Sequence, residues 1–221
     1  MPITLDEAVE RSRTGDIWLF RGRSGADRAI QFATNSPVNH VGMSVVLDDL
    51  PPLMWHAELG RSLPDRWTGT HHRGVQLHDL RDAVRVWGER YGQRAWLREL
   101  QQPATREMED AVLRTIARLD GTPFPSTTKL AWRWARGRVP RMRVPWRRGQ
   151  SASIDVDEAT LEVAYCAEVV AVTYEAMGLL PVGRRINWYD PGRFWSGDEL
   201  DLSLGYRLGD EVAVDIRPAG G

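Results

Sequence analysis

From His40 to Leu47 the chain alternates with the period of a strand: Val41, Met43, Val45 and Leu47 fall on one side, and His40, Gly42, Ser44 and Val46 on the other. After the turn Asp48-Asp49-Leu50-Pro51-Pro52 the pattern resumes over Leu53 to Leu59, with Trp55, Ala57 and Leu59 opposite Met54, His56 and Glu58. These two segments predict a hairpin, and a suitable register puts His40 on the same sheet face as His56 and Glu58. The apolar run Ile17-Trp18-Leu19-Phe20, the short stretch Gly74 to Leu77, and Glu211 to Ile216 predict further strands.

Four segments carry helix signals. Thr4-Leu5-Asp6-Glu7 has capping-box form, with Gly15 ending the element. Ser24 and Asp27 open a second candidate, which carries Ile30 and Ala33 until Asn35-Ser36-Pro37 breaks it. Thr105 to Leu119 places Met108, Val112, Ile116 and Leu119 at helical spacing before Gly121 and Pro123. Cys166 to Met177 places Val169, Val170, Thr173 and Met177 on one stripe and stops at Gly178. The expected class is α+β, with a small antiparallel sheet packed against the helix that carries Cys166 at its N-terminus.

A chain of 221 residues is long enough to bury its own core. A single catalytic domain over 1–221 is expected, with a basic insertion or lid at about 123–153. The one cysteine makes no internal disulfide, and Met1 to Gly15 lacks an apolar signal core, so the expected compartment is a reducing cytoplasm. No apolar stretch reaches the roughly 20 residues of a membrane span. A net charge of -1 argues against a globally basic nucleic-acid binder. Between Lys129 and Arg148, however, eight Lys/Arg residues occur without an acid, interleaved with Trp132, Trp134 and Trp146. The segment reads as a lid, the alternative being weak peripheral contact with anionic headgroups. The sequence is silent on oligomeric state.

Composition leaves one nucleophile of note. A thiol in the first turn of a helix lies near unpaired backbone N–H groups and the positive end of the dipole, which favour the thiolate. Cysteine catalysis also needs an imidazole and a polar group to orient it. Cys166, His40 and either His56 or Glu58 supply these types, and the Cys166 backbone N–H is a candidate oxyanion donor. Tyr165 is a further candidate for that pocket. His71, His72, His78 and Asp79 invite a zinc reading, but they lie in a polar, Gly-containing stretch without a helical i, i+4 pair, so no metal is expected.

Three motifs together resemble a known family: Gly15-Asp16-Ile17-Trp18-Leu19-Phe20-Arg21-Gly22, then Asn35-Ser36-Pro37-Val38-Asn39-His40-Val41-Gly42-Met43, then Tyr165-Cys166-Ala167-Glu168-Val169-Val170. They are similar to the circularly permuted branch of the NlpC-type papain-like cysteine hydrolases, in which the histidine strand precedes the cysteine helix. The resemblance implies a permuted papain-like fold, a Cys166 nucleophile and a His40 general base. In relatives a Trp-Glu-Ala type segment follows, and here Trp55-His56-Ala57 stands in its place, which favours His56 as the third residue and keeps Glu58 as the alternative. Ala167 departs from the small hydroxyl residue common after the cysteine.

The activity implied is cleavage of an amide or ester in a peptide, amide or acyl-containing substrate through a thioester acyl-enzyme, without a cofactor. Two rival readings accompany it. One is acyl transfer of the lecithin:retinol acyltransferase type at the same site, which the Trp- and Arg-rich segment favours. The other is a non-catalytic binding module on the same fold.

Overall fold

The structure is a computed structural model that describes residues 1–22, 36–123, 158–182, 188–196 and 200–216, with side chains in the long helix from 165 onward. The expected helix after Ser24, and nearly all of the Arg- and Trp-rich segment, lie outside the described residues.

Among the described residues, seven strands form one mixed sheet: β1 (Ile3–Thr4), β2 (Ile17–Arg21), β3 (His40–Val45), β4 (Leu53–Glu58), β5 (Gly74–Asp79), β6 (Arg94–Arg98) and β7 (Val212–Asp215). Their spatial order is β1-β7-β6-β2-β3-β4-β5. β1 and β7 run parallel and every other neighbouring pair is antiparallel. The hairpin expected from the two alternating segments is present as β3–β4.

The Thr4–Glu7 capping box closes as its spelling requires, with Glu7 N–H donating to Thr4 Oγ1 at 3.2 Å and Thr4 N–H donating to Glu7 Oε2 at 2.8 Å. It starts α1 (Leu5–Arg11). α2 (Leu80–Arg85) is capped by Asp79, which accepts from Asp82 N–H, and runs into a five-residue π-helical turn, Val86–Arg90. α3 (Arg106–Leu119) begins at the Thr105 cap, and Gly121, at a φ of 70°, takes the chain out beyond it. α4 is Glu158–Ala176.

Helices cover both faces of the sheet, and strand parity decides which residues each face buries. One core joins Ile17, Leu19, Val41, Met43, Trp55 and Leu77 to α3 and α4. The other joins Trp18, Phe20, Met54 and Leu97 to α1, α2 and Trp87 of the π turn. All six residues of β3 and all six of β4 are buried, so neither face of this hairpin meets solvent.

Two expectations are corrected. The sheet is mixed and seven-stranded rather than small and antiparallel. The cysteine helix starts at Glu158, so Cys166 lies about two turns inside a 19-residue helix and not at its N-terminus. Glu158 to Tyr165 is built mainly from good helix formers, and nothing there forces a start at the cysteine. The sequence reading also passed over β6, α2 and the π turn, which come from the stretch Leu80 to Arg98.

Candidate functional site

The even-numbered positions of three neighbouring strands bring together a polar cluster in an otherwise apolar layer. The β3–β4 register pairs Met43 with Trp55 and Ser44 with Met54, which sets Gly42 opposite His56 and His40 diagonally beside it. Gly42 permits this approach: a Cβ there would collide with the Met54 sulfur and lie 3.3 Å from His56 Cβ. On the other side, β4–β5 pairs His56 with Gln76 and Met54 with His78, so His78 is the diagonal neighbour of His56.

The result is a buried chain of imidazoles. His40 Nε2 lies 3.0 Å from His56 Nδ1, His56 Nε2 lies 2.9 Å from His78 Nδ1, and His78 Nε2 lies 3.1 Å from Gln76 Oε1. The Gln76 amide fixes the direction of the whole chain. Its Nε2 donates to the carbonyls of Glu58 and Gly74 at 3.1 and 3.5 Å, so its Oε1 is the acceptor facing His78. His78 therefore carries its proton on Nε2 and accepts at Nδ1 from His56 Nε2–H. His56 in turn accepts at Nδ1 from His40 Nε2–H. Each ring is then the neutral Nε2–H tautomer, and His40 Nδ1 is left as a bare lone pair, buried and without a hydrogen-bond partner among the described residues.

Electrostatics agree with uncharged rings. Burial lowers His40 to about 3 and His78 to about 4. His56 is held well below its ordinary value by burial, reinforced by the neighbouring imidazoles. Glu58, on the same strand face, has its carboxyl raised by burial. It accepts from the Tyr91 hydroxyl at 3.2 Å, and its Oε2 lies 3.8 Å from His56 Nε2 and 3.7 Å from His78 Nδ1.

Trp87, projected by the π turn, closes the cluster. Its ring stacks on His40 with centroids 3.8 Å apart and planes 19° from parallel, and Phe20 and Tyr91 flank it. A surface pocket lined by Glu58, Leu59, Gly60, Trp87, Tyr91 and Gln93 brings solvent to the Glu58 end. Gly60 keeps that pocket open, since a Cβ there would collide with Glu58 Oε1 and come 2.8 Å from the Tyr91 hydroxyl.

The residues singled out from sequence divide into two groups. His40, His56 and Glu58 do share one face, as the alternation implied. Of the two candidates for the third position, His56 is the one hydrogen-bonded to His40. Cys166 is not with them. It is fully buried in the core formed by Val41, Met43 and Trp55, whereas His40 packs against Phe20 and Trp87 of the opposite core. The sheet stands between thiol and imidazole. Tyr165 belongs to the same core as Cys166, and the Cys166 backbone N–H, inside a helix, serves the helical ladder rather than an oxyanion.

The zinc grouping weighed from sequence also does not converge. His71 Nδ1 lies against the Arg61 carbonyl at 3.0 Å, His72 Nε2 against the Val75 carbonyl at 3.2 Å, and Asp79 caps α2. Of these four residues, His78 joins a cluster with His56 and Glu58, and His72 joins a separate one with Asp65 and Asp120.

Sequence reasoning missed His78, Gln76, Trp87 and Tyr91 as parts of this site. The first two were legible in principle, because a polar pair at alternate positions of a strand beside His56 and Glu58 repeats the same parity argument. The aromatic pair lies in the π turn and its exit, for which no periodicity was read.

No protein-family model matches the chain, and no curated protein does. Among solved structures, the crystal structure of metalloprotein yiiX from Escherichia coli O157:H7 is similar at 21% identity and a TM-score of 0.46, covering 79% of this chain and 69% of that one. Among the described residues, no helix is long and apolar enough to cross a membrane.

Proposed function

We propose that the chain is a hydrolase of amide or ester bonds whose general base is His40, oriented by His56. The observation that carries this reading is the 3.0 Å contact between His40 Nε2 and His56 Nδ1, which leaves His40 Nδ1 as an acceptor with no partner among the described residues. A group that orients an imidazole by holding one ring nitrogen frees the other for proton transfer. The permuted papain-like arrangement belongs to the same proposal, since the histidine strand precedes the cysteine helix.

The nucleophile separates two versions. In the one implied by the family resemblance, the Cys166 thiolate attacks the carbonyl, His40 protonates the leaving group, and water cleaves the thioester. It requires Cys166 and His40 on one side of the sheet. The opposite-face placement of Cys166 favours the other version, in which displacement of the Trp87 ring admits water, His40 takes a proton from it, the hydroxide attacks the carbonyl, and His40 returns the proton to the leaving group as the bond to the carbonyl breaks.

Wild type, Cys166→Ala and His40→Ala, screened against amide and ester substrates with intact-mass detection of acyl adducts, test both. Turnover that survives Cys166→Ala and is lost in His40→Ala supports the water version. Loss in both, with an acyl adduct on Cys166 in the wild type, supports the thiol version. Turnover that survives His40→Ala overturns the proposal.

A further inference from the structure

His56, Glu58 and His78 present three ligand atoms to one point. The separations are 2.9 Å between His56 Nε2 and His78 Nδ1, 3.8 Å between His56 Nε2 and Glu58 Oε2, and 3.7 Å between His78 Nδ1 and Glu58 Oε2. A tetrahedral cation with bonds of about 2.0–2.2 Å holds its ligands on edges of roughly 3.3–3.6 Å, which the observed values bracket. We propose that these three side chains form a binding site for a zinc-type divalent transition metal, and that its occupation reverses the proton polarity of His40.

The groups around the triad support this more strongly than the triad alone. A metal-ligating imidazole normally donates its other ring N–H to a fixed acceptor, which sets its tautomer. His78 already does so: Nε2–H donates to Gln76 Oε1, and Gln76 is itself pinned by two backbone carbonyls. His56 has a ring neighbour at the corresponding position, His40 Nε2. Two nitrogens and one carboxylate oxygen suit zinc better than magnesium or calcium, and three protein ligands leave a fourth position for an exogenous one. The pocket against Glu58 supplies an entry path.

The proton bookkeeping is closed. Without metal, the three rings carry three protons, all on Nε2. With a cation on His56 Nε2 and His78 Nδ1, His56 must carry its proton on Nδ1 and donate it to His40 Nε2. His40 then holds its proton on Nδ1. The rings still carry three protons, but the bare lone pair of His40 has become a donor. In the proposed hydrolase the site would therefore switch the base off. The ligand geometry does not rest on the hydrolase reading, and binding is measured without turnover.

The test uses the full chain, stripped with a chelator and titrated with Zn2+ alone, by calorimetry and by 15N spectra of labelled histidine. The expected result is one Zn2+ per chain, and movement of His40 Nδ1 from the unprotonated to the protonated range. Glu58→Gln, nearly isosteric, should weaken binding at least 10-fold, and Gln76→Leu should weaken it about 10- to 100-fold. His72→Ala should leave it unchanged. Binding that is indifferent to Glu58→Gln, or lost in His72→Ala, would assign the ion to Asp65, His72 and Asp120 instead and overturn the proposal. An unchanged His40 tautomer in zinc-loaded wild type would overturn it regardless of how the variants fold.

Discussion

Acid should unfold this protein through its buried imidazoles. Folded His40 and His78 titrate at about 3 and about 4, against 6.5 for a free ring. Between those values the unfolded chain binds protons that the folded chain refuses, so stability falls as the pH is lowered. Going from about pH 7.5 to about pH 5 costs roughly 2 kcal/mol for each of these two rings, about 4 kcal/mol together, and His56 adds loss in the same direction. Asp16 works the other way. Burial raises its carboxyl to about 6, so the folded state takes up that proton first and gains about 1 kcal/mol by pH 5. Glu58, raised by burial, opposes in the same sense as Asp16, and so does the half-buried Asp120, raised to about 7 by burial and the neighbouring Asp65 carboxylate, by about 1 kcal/mol after solvent screening. His40, His78, Asp16 and Asp120 together leave a net loss of about 2 kcal/mol, a sizeable part of a typical 5–15 kcal/mol. Urea unfolding followed by tryptophan emission, with chelator present, measures the unfolding free energy across that range. A value that stays flat or rises toward pH 5 would refute the account, as would a His40 resonance titrating near 6.5.

Trp87→Ala removes the ring stacked on His40 and should cost about 3–5 kcal/mol by chemical denaturation; the His40 resonance should also move up toward its ordinary range as water reaches the ring. Gly42→Ala drives a methyl into the fully buried Met54 and should cost about 1–3 kcal/mol, read as a lowered Tm. Thr4→Ala removes the hydroxyl that accepts from Glu7 N–H while the residue-4 backbone N–H still reaches Glu7 Oε2, and at this exposed position the expected loss is only about 1 kcal/mol by urea denaturation.

The strands that hold the histidines were legible because they alternate without interruption and the turn between them contains two prolines. That fixed the hairpin and, with it, the shared face of His40, His56 and Glu58. The sequence pattern did not show that the second face of β3 is as buried as the first. Its small residues, Gly42 and Ser44, leave room for close neighbours, and the element that covers its His40 end is the π turn, through Trp87, rather than the cysteine helix. Leu80 to Arg90 escaped notice because a six-residue helix merging into a π turn has no sustained period of its own.

Local sequence determined element type, strand parity and the caps, since each depends on a few neighbouring residues and the geometry of one turn or one pleat. It also determined that a cysteine, several histidines and a glutamate were present to do chemistry. Which of them meet was decided by the tertiary structure alone. A helix of mixed apolar composition carries no mark of the sheet face it will cover, and α4 settled on the odd-numbered side of β3 while the histidines point to the even. Register across two strand pairs, a long-range property, brought His78 and Gln76 to His56. In the described structure the acid–base chemistry therefore gathers around an imidazole chain, on the far side of the sheet from the thiol.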